Sequence, residues 1–195
     1  MPRSRNLSGL SHVRSGFGRN RRNHPSREVP VKKAFSGTAW KYGDNINTDV
    51  IFPGKYTYQK MTPEEMAQHA LEDLDPDFIS KVSAGDILVA GKNFGMGSSR
   101  EQAAVAIKAA GISVIIARSF ARIYFRNAIN AGMPAIRCPE AVDAIQDGDS
   151  VTVDMAAGVI STPRGDFRFP AYPPTVMEIL EHNGLIPFIK TKIST

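Results

Sequence analysis

Short apolar runs alternate with helical patterns through the middle of the chain. Residues 86–90 (Asp-Ile-Leu-Val-Ala) are apolar at nearly every position, which is typical of a strand buried on both faces of a sheet. The same pattern predicts strands over residues 113–117 and 135–138, with helices over about 99–110 and 121–131 between them. Strands and helices that alternate at these spacings predict right-handed crossovers and a small parallel sheet, so we expect an α/β fold.

The segment before this region predicts two short strands and a helix. Residues 40–52 read as two strands around a polar turn, with Pro53 ending the second strand. Thr62 has the features of a helix N-cap, because proline follows it and Glu65 occupies the capping-box position. We predict that this helix runs to about Leu74, where an Asp-Pro pair stops it.

In the last quarter of the chain the hydrophobic period changes to two. Three short alternating segments separated by Gly and Pro predict a β-meander over residues 150–154, 159–162 and 167–169. A final helix is predicted over residues 175–182, and we expect the tail at 185–190 to add an edge strand.

The composition bounds the class of protein. With 195 residues, 42% hydrophobic and 22% charged, the chain fits a single globular domain, and no stretch approaches the roughly 18–20 apolar residues of a membrane-spanning helix. The one cysteine, Cys138, excludes a disulfide framework, a cysteine-rich zinc site and an iron–sulfur cluster ligated by this chain alone. Cys138 closes a predicted buried strand, so we interpret it as a packing residue.

The positive charge is concentrated at the amino-terminal end. The net charge is +5, but residues 1–33 hold nine Lys/Arg and one acid, for +8, which leaves the remainder at −3. Because this segment has few apolar anchors, we expect a disordered basic arm over residues 1–37 and one domain over 38–195. Three roles for the arm stay open: a transit peptide, a nucleic-acid-binding arm, and an extension without function.

The most informative stretch is Asn-Phe-Gly-Met-Gly-Ser-Ser-Arg-Glu at residues 93–101, between a predicted buried strand and a helix. One interpretation of it is structural. Ser98 and Glu101 have the spacing of a capping box. Gly95 and Gly97 permit a tight turn before the helix.

The other interpretation of the same stretch is an anion site. A helix N-terminus presents free backbone N–H groups and the positive end of the helix dipole, so it attracts a carboxylate or phosphate. Arg100 adds a planar fork that matches a carboxylate, and the hydroxyls of Ser98 and Ser99 are able to approach a substrate closely. Open α/β sheets bind ligands at the carboxyl ends of their strands, which is where this loop lies.

Several catalytic motifs are excluded. No Gly-Lys-Ser/Thr follows the glycines, and Arg100 stands where a dinucleotide fingerprint needs glycine. No Gly-x-Ser-x-Gly spacing occurs. The predicted domain offers only His69 and His182, both with polar neighbours, so a Ser-His-Asp triad and a metal cluster have little to draw on.

Four motifs, in this order, resemble the swivelling domain of the aconitase superfamily. They are Asp-Asn-Ile-Asn-Thr-Asp at 44–49, Gly-Ser-Ser-Arg-Glu at 97–101, Ile-Ile-Ala-Arg-Ser-Phe-Ala-Arg-Ile at 115–123 and Arg-Asn-Ala-Ile-Asn at 126–130. The resemblance covers about residues 38–190, and the chain looks most like the separate small subunits of 3-isopropylmalate dehydratases or homoaconitases. It implies a swivelling β/β/α domain with a small parallel sheet, flanking helices and a C-terminal β-meander.

The resemblance also implies the division of labour at the site. In this family a [4Fe-4S] cluster is held by three cysteines of a large subunit, so we expect no metal on this chain. Ser98 matches the catalytic base, and Ser99 and Arg100 match contacts to substrate carboxylates. Four further residues are expected to support the site: Asp49, Gly95, Gly97 and Glu101.

The implied activity is that of a hydro-lyase that isomerises 2-isopropylmalate to 3-isopropylmalate in leucine biosynthesis. Such a chain acts only with its large subunit, in a heterodimer or heterotetramer, on a small dicarboxylate. In the family, the loop that contains Tyr58 faces the variable substituent of the substrate. No arginine lies between Pro53 and Arg100, which favours an apolar substituent over a third carboxylate, although Lys55 and Lys60 flank the loop.

Other functions stay open at this point. A homoaconitase-type enzyme or a dehydratase of another methylated malate, such as a dimethylmalate, fits the same motifs. A non-catalytic protein that binds nucleic acid through the basic arm is the alternative from another class, although the domain itself favours neither nucleic acid nor a membrane as partner. We expect a cytoplasmic location, or a plastid if the arm is a transit peptide.

Overall fold

The computed structural model describes residues 34–193. Its strands are β1 (Ala34–Lys41), β2 (Ile87–Ala90), β3 (Val114–Ala117), β4 (Ala135–Arg137), β5 (Ser150–Asp154), β6 (Val159–Thr162) and β7 (Gly165–Arg168). Its helices are α1 (Thr48–Ile51), α2 (Pro63–Ala67), α3 (Phe78–Lys81), α4 (Glu101–Ala109), α5 (Arg122–Asn130), α6 (Pro139–Ala144), α7 (Pro174–Glu181) and α8 (Leu185–Ile193). A 3-10 turn covers Gly54–Tyr56. None of the helices in this range is long and apolar enough to cross a membrane.

The strands form one seven-stranded sheet in the order β4-β3-β2-β1-β5-β6-β7. The pairs from β4 to β1 are parallel, and those from β1 through β5 and β6 to β7 are antiparallel. The small parallel sheet and the β-meander predicted from the sequence are therefore confirmed. They are halves of one sheet, because β1 belongs to both.

The two central parallel strands are buried on both faces. Leu88 and Ala90 of β2 pack with α4 and α5, whereas Ile87 and Val89 pack with α6 and the meander. All four residues of β2 are inaccessible to solvent, and β3 has the same pattern. This double burial explains the continuous apolar runs, since neither face of these strands meets water.

Strand β1 begins earlier than the sequence predicts. Ala34 pairs with Asp154 of β5, and the Ser36 and Thr152 hydroxyls share a hydrogen bond of 2.8 Å. Residues 34–37 therefore belong to the sheet, which corrects the predicted boundary at 38. Composition missed them because their strand is stabilised by pairing with a distant segment. Residues 1–33, the rest of the predicted arm, lie outside the described residues.

Two predicted strands are helices. The second strand of residues 40–52 is α1, because Asn47 caps it by accepting a hydrogen bond from the Val50 N–H at 2.8 Å. The tail is α8, not an edge strand. Both segments are short and apolar, and in such runs hydrophobicity does not separate helix from strand.

The capping box of α2 is confirmed in detail, but its length is not. Thr62 and Glu65 bond each other's backbone N–H groups. The helix ends at Ala67 rather than near Leu74, and Leu71 adopts a positive φ of 59°. The inaccessible Leu71 side chain packs in the core, so tertiary packing holds the turns that follow α2.

Candidate active site

The loop between β2 and α4 is fixed by backbone pairing on both sides. The Gly95 N–H donates to Ile46 O at 2.8 Å, and the Thr48 N–H donates to Met96 O at 2.8 Å. On the other side, Phe94 forms a parallel bridge with Phe120. The loop therefore sits between the segments that precede α1 and α5, at the carboxyl ends of the parallel strands, as the sequence predicts.

Both glycines of the loop have backbone conformations that other residues rarely adopt. The φ angles are 77° at Gly95 and 98° at Gly97. A Cβ on Gly95 would lie 2.1 Å from the Tyr124 ring, so a side chain there is excluded by space as well. Burial raises the pKa of Tyr124, and its hydroxyl has no hydrogen-bond partner among the described residues. We therefore assign Tyr124 a packing role beneath the loop.

Helix α4 begins later than predicted, and the Ser98–Glu101 capping box does not form. The N-cap residue is Arg100, in extended conformation and without a side-chain capping bond. The Ser98 carbonyl instead accepts a hydrogen bond from Thr48 Oγ1 at 2.9 Å, which holds this part of the loop on α1.

This arrangement leaves two hydroxyls free. The exposed Ser98 and Ser99 side chains make no hydrogen bond to any residue in the range 34–193. Glu101 is exposed in the first turn of α4, where its negative charge interacts favourably with the positive end of the helix dipole. The free hydroxyls and the uncapped start of α4 are what an anionic ligand requires.

Contacts to one nitrogen of its guanidinium, Nη1, hold Arg100 in place. Its Nη1 lies 2.6 Å from Asp49 Oδ1 and 3.4 Å from the Phe52 carbonyl oxygen, and its side chain is only 15% exposed. Nε and Nη2 donate to no residue within the described part of the chain. These two donors are the ones that bind a carboxylate side-on, so Asp49 orients Arg100 without occupying its recognition edge.

Tyr58 stands apart from these residues. Its side chain is 97% exposed, and among the described residues no hydrogen bond or ion pair links it to Ser98 or Arg100. Tyr56 is the aromatic residue that packs into the domain, with its ring 3.8 Å from the His69 ring and 5.9 Å from that of Phe52. The proposed role of Tyr58 in substrate binding stays a prediction.

Sequence reasoning missed two residues that build this site. Thr48 is buried and positions the Ser98 backbone, and it lies inside the Asn-Thr-Asp motif, which was the available signal. A Cβ on Gly54 would lie 2.8 Å from Asp49 Oδ1 and 3.1 Å from Arg100 Nη1. The backbone at Gly54 therefore packs directly on the ion pair, a contact between distant segments that the sequence pattern does not carry.

The histidines and the cysteine of the described residues have structural surroundings. Between residues 34 and 193 no group of three or more His, Cys, Asp or Glu is arranged to hold an ion. Burial raises the pKa of the Cys138 thiol, which packs in the core with the meander. His69 pairs with Glu72, and His182 Nδ1 lies 2.7 Å from the Glu178 carbonyl oxygen.

A cavity of about 420 Å³ opens at the opposite, amino-terminal edge of the parallel strands, away from the loop. Its cation is Lys108, whose ammonium donates to Ala131 O at 2.5 Å and to Asn183 Oδ1 at 2.6 Å. Those bonds satisfy the carboxyl end of α5, so Lys108 has a structural partner set. The loop, and not this cavity, is therefore the candidate site.

Comparisons with known proteins agree with the fold. The aconitase C-terminal domain family matches residues 18–141, a range that starts inside the predicted arm. A 3-isopropylmalate dehydratase small subunit from Caldicellulosiruptor bescii is 53% identical over 161 residues, which are 82% of this chain and 96% of that protein. A 2,3-dimethylmalate dehydratase small subunit from Eubacterium barkeri is 50% identical over 155 residues, 78% of this chain and 94% of that one.

A solved structure extends the likeness to three dimensions. The crystal structure of 3-isopropylmalate dehydratase from Methanocaldococcus jannaschii has a TM-score of 0.78 and 41% sequence identity, and the match covers 83% of this chain and 96% of that one. This confirms the aconitase-type domain. The chain belongs to the aconitase C-terminal domain family and, within it, to the small subunits of the 3-isopropylmalate dehydratase type.

Proposed function

We propose that this chain is the small subunit of a 3-isopropylmalate dehydratase, a hydro-lyase that interconverts 2- and 3-isopropylmalate by removing and re-adding water. The observation that carries the proposal is the pair of free hydroxyls at the uncapped start of α4, beside an arginine whose Nε and Nη2 make no hydrogen bond within the described residues. The relatives near 50% identity support the reaction class.

Arg100 has the geometry to bind a substrate carboxylate. Asp49 pairs with Nη1, which leaves the Nε and Nη2 donors to form a bidentate contact with a carboxylate. Ser99 and the first N–H groups of α4 are further donors in this part of the loop. We assign binding and orientation of the dicarboxylate to these groups.

Ser98 is the residue that we assign as base. Dehydration removes a weakly acidic C–H proton next to a carboxylate, and a serine acts as base in this step only if its alkoxide is stabilised. The hydroxyl of Ser98 makes no competing hydrogen bond within the described residues, and the helix dipole and Arg100 stabilise negative charge at this point. Exclusion of water by a partner subunit strengthens both interactions.

The leaving hydroxide needs a Lewis acid that these residues do not supply. Within residues 34–193 no group of His, Cys, Asp or Glu is arranged to hold a metal. The resemblance implies a [4Fe-4S] cluster held by cysteines of the large subunit, and such a cluster would supply the Lewis acid. The chain thus contributes substrate binding and proton transfer to a site that two subunits complete. We place this assembly in the cytoplasm.

A second substrate has specific support. The Eubacterium barkeri relative named for 2,3-dimethylmalate is nearly as similar as those named for 3-isopropylmalate. Both substrates carry small uncharged substituents. The chain therefore fits an apolar malate derivative, with 3-isopropylmalate dehydratase as the first candidate.

Anaerobic co-purification of the tagged chain from its host tests the proposal. We expect a larger partner with about four irons per heterodimer and turnover of 2-isopropylmalate by the complex but not by the chain alone. Turnover of 2,3-dimethylmalate instead would change the substrate and leave the subunit role intact. Recovery of the chain without iron, bound to nucleic acid, would overturn the proposal in favour of the arm.

A further inference from the structure

A second group of charged side chains lies beside the Arg100–Asp49 pair. Lys55 Nζ lies 2.6 Å from Glu72 Oε1, and His69 Nδ1 lies 2.6 Å from Glu72 Oε2. Tyr56 joins them, because its ring stacks on His69 and lies 4.9 Å from the Lys55 ammonium. We call these four residues the Lys55 cluster.

The Lys55 cluster borders the substrate site through Gly54. The position of a Cβ on Gly54 is 3.1 Å from Arg100 Nη1, and Lys55 is the next residue in the same 3-10 turn. A lysine side chain has a flexible four-carbon stem, so its ammonium samples a wide region around its backbone position. Lys55 is therefore a second cation whose backbone follows directly on the residue that packs against the Arg100 guanidinium.

Glu72 determines where that cation is held. Partial burial raises the pKa of the Glu72 carboxyl, but hydrogen bonds from Lys55 and His69 outweigh this effect and hold the pKa below its usual range. Glu72 is therefore ionised at neutral pH, and both of its oxygens are engaged. Its hydrogen bond also raises the pKa of Lys55, so the pair is a charged one.

We propose that Glu72 is a specificity-determining positioning residue, which holds Lys55 away from the substrate and so selects a malate with an uncharged substituent over one with a carboxylate substituent. A free Lys55 ammonium beside Arg100 attracts a third carboxylate. Pairing with Glu72 removes that attraction, although the lysine lies in the loop nearest the site. The inference rests on the proposed function and names the substrate class of the same site.

Two matched inhibitors test this inference on the assembled complex. 2-Isopropylsuccinate and tricarballylate both lack the leaving hydroxyl, and they differ in carrying an isopropyl or a carboxymethyl group on the same succinate frame. In the Glu72→Gln complex we expect the inhibition constant of tricarballylate to fall about ten-fold, the size of one charge-assisted hydrogen bond. That of 2-isopropylsuccinate stays within about two-fold, since Lys55 has no carboxylate to meet there.

Three further variants separate positioning from a structural role. The double variant Glu72→Gln with Lys55→Met loses the gain in tricarballylate binding, and Glu72→Asp retains the wild-type preference. Asp77→Asn, which removes the acid of the exposed Lys81–Asp77 pair at 2.7 Å, is the matched control and changes neither constant. Lys55→Met alone also changes neither, because the wild-type lysine is held away from the ligand.

The outcomes separate the two levels of the account. An unchanged ratio of the two constants in Glu72→Gln, or weaker binding of either inhibitor in Lys55→Met, overturns the inference while 2-isopropylmalate turnover by the wild-type complex upholds the function. If Glu72→Gln does not assemble, the Lys55→Met result decides alone. Absence of turnover of both 2-isopropylmalate and 2,3-dimethylmalate in the wild-type complex refutes the proposed function itself.

Discussion

The two edges of the parallel sheet use their polar groups in opposite ways. At the amino-terminal edge, the buried Asp86 accepts hydrogen bonds from the Thr38 N–H, the Trp40 indole and the Ser83 N–H, at 2.9–3.0 Å. At the carboxyl edge, the Ser98 and Ser99 hydroxyls have no partner among residues 34–193. At the amino-terminal edge the polar groups stabilise the fold. At the carboxyl edge the hydroxyls remain available to bind a ligand.

This contrast follows from what burial costs. A buried charge without partners is strongly destabilising, so Asp86 persists inside the domain because three donors satisfy it. An exposed hydroxyl without partners costs almost nothing in the free chain, because water bonds it. Substitutions at the amino edge should therefore change stability, and those at the carboxyl edge should change catalysis.

The largest effect on stability is expected from Asp86→Asn. An amide nitrogen in place of one carboxylate oxygen leaves at least one buried donor facing another donor, so we expect a loss of about 3 kcal/mol in the free energy of unfolding. Urea unfolding of the chain measures it, with the exposed Asp77→Asn as control. A change below about 1 kcal/mol would mean that Asp86 does not secure this edge.

Arg100→Lys tests the carboxyl edge. Lysine keeps the charge but not the fork, so we expect KM for 2-isopropylmalate to rise by about ten- to a hundred-fold while the melting temperature changes little. Arg164→Lys is the matched control, because Arg164 also pairs with an aspartate, Asp149, but in the meander. Equal kinetic effects of the two variants would contradict a specific role for Arg100.

Thr48→Val is expected to affect both stability and catalysis, since Thr48 is buried and its hydroxyl positions the loop. Loss of its hydrogen bond to the Ser98 carbonyl is expected to cost about 1 kcal/mol in unfolding free energy. We expect kcat to fall a few-fold as well, because the Ser98 backbone is less well fixed. Loss of stability with unchanged kcat would show that the loop is positioned without Thr48.

The smallest effect concerns the Lys108 ammonium. Burial lowers its pKa below the usual 10.5 in the folded chain, so the unfolded chain binds more protons between the folded pKa and 10.5. This lysine therefore makes stability rise with pH across that window and adds no slope below it. Comparison of wild type with Lys108→Met by urea unfolding from pH 7 to 10 should show a difference that grows by less than about 1 kcal/mol. A difference that stays constant over this range would contradict the lowered pKa of Lys108.

Sequence patterns predicted the elements whose own residues determine them. The apolar runs of β2 and β3 and the capping box of α2 depend on neighbours along the chain, and all are confirmed. The identity of α1 and α8 was predicted wrongly because short apolar segments fit either type. Asn47 gives α1 its cap, but the segment is fixed by pairing with the loop at Met96, which lies far along the chain.

The candidate site could be located from the sequence, but the hydrogen bonds and ion pairs that position its residues could not be predicted. The glycines and Arg100 mark the loop. The capping box predicted at Ser98 does not form, because α4 begins later, with Arg100 at its N-cap. The partners of Arg100, at Asp49 and Phe52, come from another segment. Such contacts join residues about fifty positions apart along the chain, so the local sequence pattern does not predict them.

The central claim is that this chain supplies the base through Ser98. The most direct test is the single-turnover rate of dehydration of 2-isopropylmalate by the complex assembled with Ser98→Ala, with the exposed Ser150→Ala as control. The account predicts a fall of at least about a thousand-fold, with unchanged assembly and unchanged binding of 2-isopropylsuccinate. A rate within about ten-fold of wild type would contradict it and move the base to another residue.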